Sequence, residues 1–331
     1  MDRREARAED LPPLELRELR ILDLDAPSPP GRAAHVSAAS GVVRRADFVY
    51  VVGDDELSLA VFEMSGGAPG RLERALDGEL PADGAARKAA KPDLEALTLL
   101  PPFHEHPNGA LLGLGSGSTD ARDRGFLWGL GPDGGLRGKA AAVDLAPLYR
   151  LLRESVDDLN VEGAAVMGEQ FWLLQRGNGA QGANVVVELG LEDVMSSLVR
   201  ERTLAARELQ GLHEYALGDL GGAKLTFSDA SPLGGELLVF TASAEGSADT
   251  YEDGEILGSV VGTIDRNGQV RRLRTIDRRY KVEGVHAVLD TGVMTLTFVC
   301  DQDDADVASP LLSATLPLDG QLERASAPAA S

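Results

Sequence analysis

The apolar positions of this chain fall in short runs bounded by Gly, Asp, Asn and Pro, and the runs return in a fixed order. Val161–Asn178, VEGAAVMGEQFWLLQRGN, is a glutamate-led run, a turn, a second run and a polar loop. The same order returns at Val282–Asp304, VEGVHAVLDTGVMTLTFVCDQDD, and at Leu94 as LEALTLL followed by GALLGLGSGST. A looser copy starts at Ser40, with SGVV and then DFVYVVGDDE. Runs this short with turn residues between them predict strands, and their repetition predicts an array of like units.

Taken in order, the pattern predicts five antiparallel meanders. The first is Ala39–Val43, Phe48–Gly53, Ser58–Met64 and Arg71–Leu76; the second is Leu94–Leu100, Ala110–Gly115, Gly125–Leu130 and Leu136–Asp144. The third runs Val161–Met167, Phe171–Gln175 and Asn184–Leu189, with an outer element within Leu204–Leu217. The fourth is Ala223–Ser228, Glu236–Ala242, Glu255–Ile264 and Gln269–Ile276. Leu145–Val156 and the segment LEDVMSSLVRER read as helices. The fifth unit has only Val282–Leu289, Val293–Cys300 and Pro310–Leu318, and the isolated strand Leu14–Asp25 supplies its missing fourth.

A small meander cannot bury both faces alone, and radial stacking solves this while leaving only short edges. The expected fold is therefore all-β, a five-bladed β-propeller closed by an N-terminal outer strand in Velcro fashion. Two separate β domains would leave the N-terminal strand unexplained. The propeller is expected over residues 14–320, with a disordered lead-in at 1–13 and a disordered tail at 321–331.

Charge narrows the partners. A formal net charge of −21 lacks the basic footprint that nucleic acid needs. No apolar run approaches the ~20 residues of a membrane span, and no apolar segment follows the basic residues of MDRREARAEDLPP. The single cysteine, Cys300, suits a reducing compartment and reads as a core residue, so a cytoplasmic location is expected.

In a propeller, the residue that opens each inner strand sits near one mouth of the central channel. Here those are Ser40, Glu95, Glu162, Lys224 and Glu283. The loops between second and third strands emerge at the same mouth: GDDE (53–56), GSGSTDARD (115–123), QRGNG (175–179), SAEGSADTYEDG (243–254) and DQDDAD (301–306). The two histidines of HEHP (104–107) fall on the opposite face. Three glutamates around one axis, roughly 6 Å apart at an effective dielectric of 20, repel by about 3 kcal/mol per pair. Either a hard cation such as Ca²⁺, ligated by Glu95, Glu162 and Glu283, relieves that repulsion, or Lys224 neutralises part of the ring and amides, protonation or water meet the rest.

Two functions fit these residues. One is a metal-assisted hydrolase of phosphate esters or phosphoanhydrides, with Arg176 gripping a phosphoryl oxygen and Asp54, Asp301 or Asp303 as general base. The other is a non-catalytic scaffold that takes a small-molecule ligand or a protein at the channel mouth. The linear sequence shows no basic cluster on that face, which counts against an anionic nucleotide, and no GxSxG elbow that would indicate a serine esterase.

The repeat resembles bacterial propellers related to the phytase-like "esterase-like" and SdiA-regulated groups, with KVEGVHAV followed by VCDQDD as the nearest motif. Its spacing is also similar to that of the calcium-activated soluble nucleotidase (apyrase) family, a five-bladed propeller with one Ca²⁺ in its channel. That resemblance implies serine or glutamate at each blade start, which Ser40, Glu95, Glu162 and Glu283 meet, and an arginine-bearing loop in the third blade, where Arg176 falls. Lys224 departs from it, because an ammonium cannot ligate Ca²⁺. With Lys224 in the ring, Ca²⁺ is expected to bind weakly or not at all.

Overall fold

The computed structural model of the protein describes residues 2–27, 32–177, 182–246 and 256–317. Five antiparallel sheets form, one for each predicted unit. Blade 1 is Ala39–Arg45, Phe48–Gly53, Ser58–Glu63 and Arg71–Arg74, and blade 2 is Leu94–Leu100, Ala110–Gly115, Arg124–Gly129 and Ala141–Asp144. Blade 3 is Val161–Met167, Gln170–Gln175, Asn184–Gly190 and Gly211–Ala216; blade 4 is Ala223–Leu233, Leu237–Glu245, Ile256–Asp265 and Val270–Thr275. Blade 5 is Val282–Asp290, Val293–Cys300 and Pro310–Pro317, with Arg17–Ile21 pairing antiparallel along Pro310–Ser313 as its fourth strand.

The inner strands touch one another in cyclic order, the fifth against the first, so the sheets make a ring. The fold is a five-bladed β-propeller. Its apolar core is divided into five clusters, and each lies between two adjacent blades. Alternation along a strand explains this. Phe171 enters the cluster between blades 2 and 3, while its neighbour Trp172 enters the one between blades 3 and 4. Cys300 is a buried member of the cluster between blades 4 and 5.

Helices Ala146–Arg153 and Leu191–Glu201 lie on the seam of blades 2 and 3, burying Leu148, Leu152, Val194 and Leu198 there. A third helix, Gly84–Ala90, sits in the connection between blades 1 and 2, with Asp83 capping it through the Ala86 amide at 2.9 Å. No helix among the described residues is long and apolar enough to cross a membrane.

The lead-in 1–13 departs from expectation. Asp2–Glu5 is a strand that pairs in parallel with the outer strand of blade 3. The chain then meets blade 4, where the Glu9 and Leu14 amides donate to the carbonyls of Leu273 (2.7 Å) and Thr275 (2.8 Å). It joins blade 5 through Arg17–Ile21 and reaches blade 1 where Leu24 bridges Gly70. Unsatisfied outer edges attract this strap, and Arg4 pins its start, donating to the Tyr215 hydroxyl at 2.8 Å. The expected tail at 321–331 lies outside the described residues.

Candidate functional site at the channel mouth

Each inner strand slips by one residue against its partner at the same place. The slips fall between Ala39 and Gly41, Leu94 and Ala96, Val161 and Gly163, Phe227 and Asp229, and Val282 and Gly284. A β-bulge of this kind leaves one residue unpaired and re-aims it. The five bulged residues are Ser40, Glu95, Glu162, Ser228 and Glu283. Four were expected in the ring.

The fifth corrects the sequence reading. Lys224 is exposed and pairs with Asp219 near the start of an inner strand eleven residues long. That strand runs on to Leu233, whereas the apolar pattern gave it an end at Ser228. The bulge lies within it, at Ser228, and the signature there is Ser-Asp where three other blades carry Ser-Gly or Glu-Gly. Without the strand's true length, nothing in the sequence chooses Ser228 over Lys224.

Close approach of the blades explains those glycines. A Cβ on Gly41 would lie 2.9 Å from the Glu95 carbonyl, one on Gly163 2.8 Å from the Ala230 amide, and one on Gly284 2.6 Å from the Ser40 carbonyl. The bulges thus hold consecutive inner strands in contact around the mouth. Glu162 and Glu283 are buried there, at 4% and 7% exposure, and Glu95 is half-buried.

Each ring glutamate has its own cation. Lys91, four residues before Glu95, donates to Asp54, lies 2.7 Å from Asp93 and adds attraction to Glu95. Arg176 lies 3.7 Å from Glu162 and donates to Glu245. Lys281 lies 3.7 Å from Glu283, 3.2 Å from Asp301 and 2.7 Å from Asp303. The sequence reading found Arg176 but missed Lys91, Lys281, Asp93 and Glu245. Two of the missed residues, Asp93 and Lys281, stand two positions before a ring glutamate, and that spacing was the available signal.

Carboxylates still outnumber cations at this mouth. Burial, followed by repulsion from Glu162, Asp93 and Asp54, holds Glu95 well above the ordinary glutamate range. Burial lifts Glu162 to about 7 against the pull of Arg176. It lifts Glu283 to about 8 against Lys281 and Arg176. The cations remain protonated: around Lys91 and Lys281, the neighbouring carboxylates more than offset the effect of burial.

The residues expected to act on a substrate, Arg176, Asp54, Asp301 and Asp303, are brought to this mouth but not to one point. Asp54 stands with Lys91 between blades 1 and 2, and burial raises it to about 6. Arg176 stands between blades 3 and 4, its side chain 15% exposed. Asp301 stands in blade 5 on Lys281, accepts from the Asp303 amide at 2.9 Å, and is raised by burial. Among the described residues, one set of three carboxylate oxygens lies within 4.8 Å of one another, that of Asp54, Asp93 and Glu95. Parts of the 175–179 and 243–254 loops fall outside the described residues.

The wall between blades 4 and 5 is polar. Thr241 donates to the Glu283 carbonyl at 2.9 Å, and the Ser243 and Ser259 hydroxyls lie 3.0 Å apart. Asp229, fully buried, accepts from the Val285 amide at 2.8 Å, and burial holds its carboxyl well above the ordinary aspartate range. At the far end of the molecule, the HEHP loop closes on itself through paired Phe103 and His106 backbone bonds (3.1 and 2.6 Å), next to Arg202 and Leu198.

In sequence, no curated protein matches this chain. Among solved structures, an alpha-L-arabinanase mutant of Cellvibrio cellulosa is similar at 15% identity and TM-score 0.47, over 87% of this chain and 94% of that one. A glutaminyl cyclase of Myxococcus xanthus is similar at 11% identity and TM-score 0.46, over 93% of this chain and all of that one. Residues 35–316, which span the five inner strands and every residue of the mouth described above, match one family over their whole length, and the chain belongs to the Family of unknown function (DUF6929).

Proposed function

We propose that the five bulged residues hold a hard divalent cation, Ca²⁺ by their donor chemistry, at the mouth of the channel. The protein would use it in metal-assisted hydrolysis of a phosphate ester or phosphoanhydride. The observation that carries this reading is the replacement of Lys224 by Ser228. The ring is then three carboxylates and two hydroxyls at one register position in all five blades, with no ammonium among them. An all-oxygen donor set suits Ca²⁺, which accepts carboxylates, hydroxyl oxygens and water together. The buried glutamates, lifted chiefly by desolvation, hold protons that a bound cation would displace. With Ser228 in place, all five positions match the serine-or-glutamate pattern of the nucleotidase resemblance.

A bound cation would act as a Lewis acid that polarises a phosphoryl oxygen or an attacking water. The chain's own residues divide the remaining work. Glu95, Glu162 and Glu283 bind, with Ser40 and Ser228 completing the ring. Lys91, Arg176 and Lys281 hold those glutamates in place and set three positive charges at the mouth, where the linear sequence shows no basic cluster. Arg176 orients the phosphoryl group, and Asp54 accepts the proton of water. One observation favours the non-catalytic alternative, a site for a small-molecule or protein ligand: all three cations are already engaged by carboxylates.

Titration calorimetry with CaCl₂ on metal-stripped protein tests the cation, and turnover of p-nitrophenyl phosphate and ADP, with Ca²⁺ or with EDTA, tests the reaction. Binding lost in Glu162→Gln together with Ca²⁺-dependent turnover is expected. Absence of binding would sink the ring as a cation site, and binding without turnover would leave the ligand-binding alternative.

A further inference from the structure

A cavity at the far end of the molecule gathers a second set of charged and titratable groups, none of them used at the mouth. It lies between the HEHP loop, the third strand of blade 2 and the end of helix Leu191–Glu201, and its volume is about 70 Å³. Phe103, Leu127 and Leu198 give it apolar lining, and Glu105, His106 and Arg202 give it polar lining. At ~10–15 Å³ for each water-sized group, that is room for about six non-hydrogen atoms.

The walls of this cavity are held at a conformational cost. His104 and Arg202, both of which line it, have left-handed backbone at φ 29° and 54°. At a helix end, where Arg202 stands, that conformation ordinarily belongs to Gly or Asn. The Arg202 carbonyl accepts from the Asp144 amide at 3.0 Å, so the outer strand of blade 2 fixes where the arginine side chain starts. In the loop, the His106 and Phe103 rings lie 5.0 Å apart. A Cβ on Gly129 would lie 2.4 Å from His106 Nδ1, so a glycine in the third strand of blade 2 makes room for the imidazole. Backbone strain of this kind gathers at ligand sites.

The charges narrow the ligand. Arg202 and Glu105 approach only to 3.9 Å, too long for a hydrogen bond, and both side chains are exposed, so each can bond a further group. Burial, followed by the charge of Arg202, lowers His106, which is neutral at pH 7 and adds no charge. An anion alone would meet the repulsion of Glu105, and a cation alone that of Arg202. The carbonyl end of the helix adds partial negative charge, which also disfavours a simple anion. A molecule carrying both charges satisfies both groups.

We infer that this cavity binds a small α-amino acid as its zwitterion, with the carboxylate on Arg202, the ammonium on Glu105 and a short apolar side chain toward Leu127 and Leu198. The guanidinium fork suits a carboxylate, which it can hold through two parallel bonds. The site is separate from the channel mouth and does not depend on the function proposed there.

The test is NMR titration of the full chain with L-alanine, propionate and ethylamine, on wild type, Arg202→Gly and Glu105→Gln. Glycine adopts the left-handed backbone of position 202 without strain, so Arg202→Gly is expected to melt no lower than wild type. Wild type is expected to bind L-alanine saturably and at least tenfold more tightly than propionate or ethylamine. Each variant is expected to raise the Kd for L-alanine at least tenfold. No saturable binding of L-alanine to wild type would overturn the inference, as would wild-type Kd in either folded variant. Propionate or ethylamine binding as tightly as L-alanine would overturn it too, because one charge would then suffice.

Discussion

Arg176 lies 3.7 Å from Glu162 on the paired strand of the same blade 3 hairpin and donates its other terminal nitrogen to Glu245 of blade 4. One guanidinium therefore ties two blades together and stabilises two carboxylates at the mouth. Its side chain is 15% exposed and that of Glu162 6%, so solvent screens the pair little. Removing one partner of a buried pair leaves the other charge stranded, at a cost of about 3–5 kcal/mol. Arg176→Met is expected to lower stability by that order in urea unfolding with EDTA present. A loss below ~1 kcal/mol would show that Glu162 does not depend on it.

The ring glutamates predict an unusual pH dependence. Burial lifts Glu162 to about 7 and Glu283 to about 8 from an ordinary 4.5. Over that interval the folded chain keeps protons that the unfolded chain has released. The contribution is fully present below pH 4.5 and is lost as pH rises through about 7 and 8. Urea midpoints of the metal-free protein should therefore fall from about pH 5 to about pH 8, and Ca²⁺ should flatten the fall by favouring the ionised ring. Midpoints that climb over this range would contradict the burial of the two carboxyls.

Lys224 and Ser228 give opposite expectations. Lys224 is exposed, and Lys224→Ser is expected to change stability by no more than ~0.5 kcal/mol and to leave the calcium-induced Tm shift intact. Ser228→Lys puts an ammonium among the glutamates and should abolish that shift while the ring stays folded. Thermal melts of both variants, with EDTA and with CaCl₂, decide between the two positions.

Trp172 is fully buried between blades 3 and 4, and its indole nitrogen donates to Gln170 at 3.1 Å. Trp172→Ala is expected to cost about 3–5 kcal/mol as a core cavity. A loss below ~1 kcal/mol with ligand binding abolished would make it a ligand-stacking residue instead.

The strap divides into parts with different consequences. Deleting residues 2–13 removes the parallel strand on blade 3 and the contacts with Leu273, but keeps Arg17–Ile21 on blade 5. That variant is expected to melt cooperatively at a lower temperature. Deleting residues 2–26 also exposes the edge of Pro310–Pro317, and unpaired edges promote association. Light scattering on heating should rise early in the second variant alone.

Much of the fold was legible because strand ends coincide with turn residues. The boundaries of Leu94–Leu100, Ala110–Gly115 and Val161–Met167 match the predicted ones, since Gly, Pro and Asp interrupt both pattern and ladder there. Blade 4 was misread because Ala223–Leu233 carries Ser228, Asp229, Ser231 and Pro232 inside a strand, where polar residues and proline ordinarily signal its end. The strand persists because Asp229 and Ser231 accept from the Val285 and Ala287 amides of blade 5, a tertiary contact that no local window shows. The same limit hid Lys91 and Lys281. Each is one lysine in a polar stretch: folding brings Lys91 to Asp54 of blade 1, and pairing of the blade 5 hairpin brings Lys281 to Asp301 and Asp303.

The strap also sets an order of events. Arg17–Ile21 can pair only after Pro310–Pro317 exists, so two segments separated by nearly the whole described chain must find each other late. Blades 1 to 4 are made and can stack while blade 5 still lacks an edge, so during synthesis the ring is an open arc with two sticky ends. Contacts of such long sequence separation form slowly, because the loop entropy is lost before the pairing compensates for it. The interval before closure is when the chain is most open to joining a second copy end to end, and the parallel pairing of Asp2–Glu5 with blade 3, which needs no part of blade 5, keeps the N-terminal segment beside the ring.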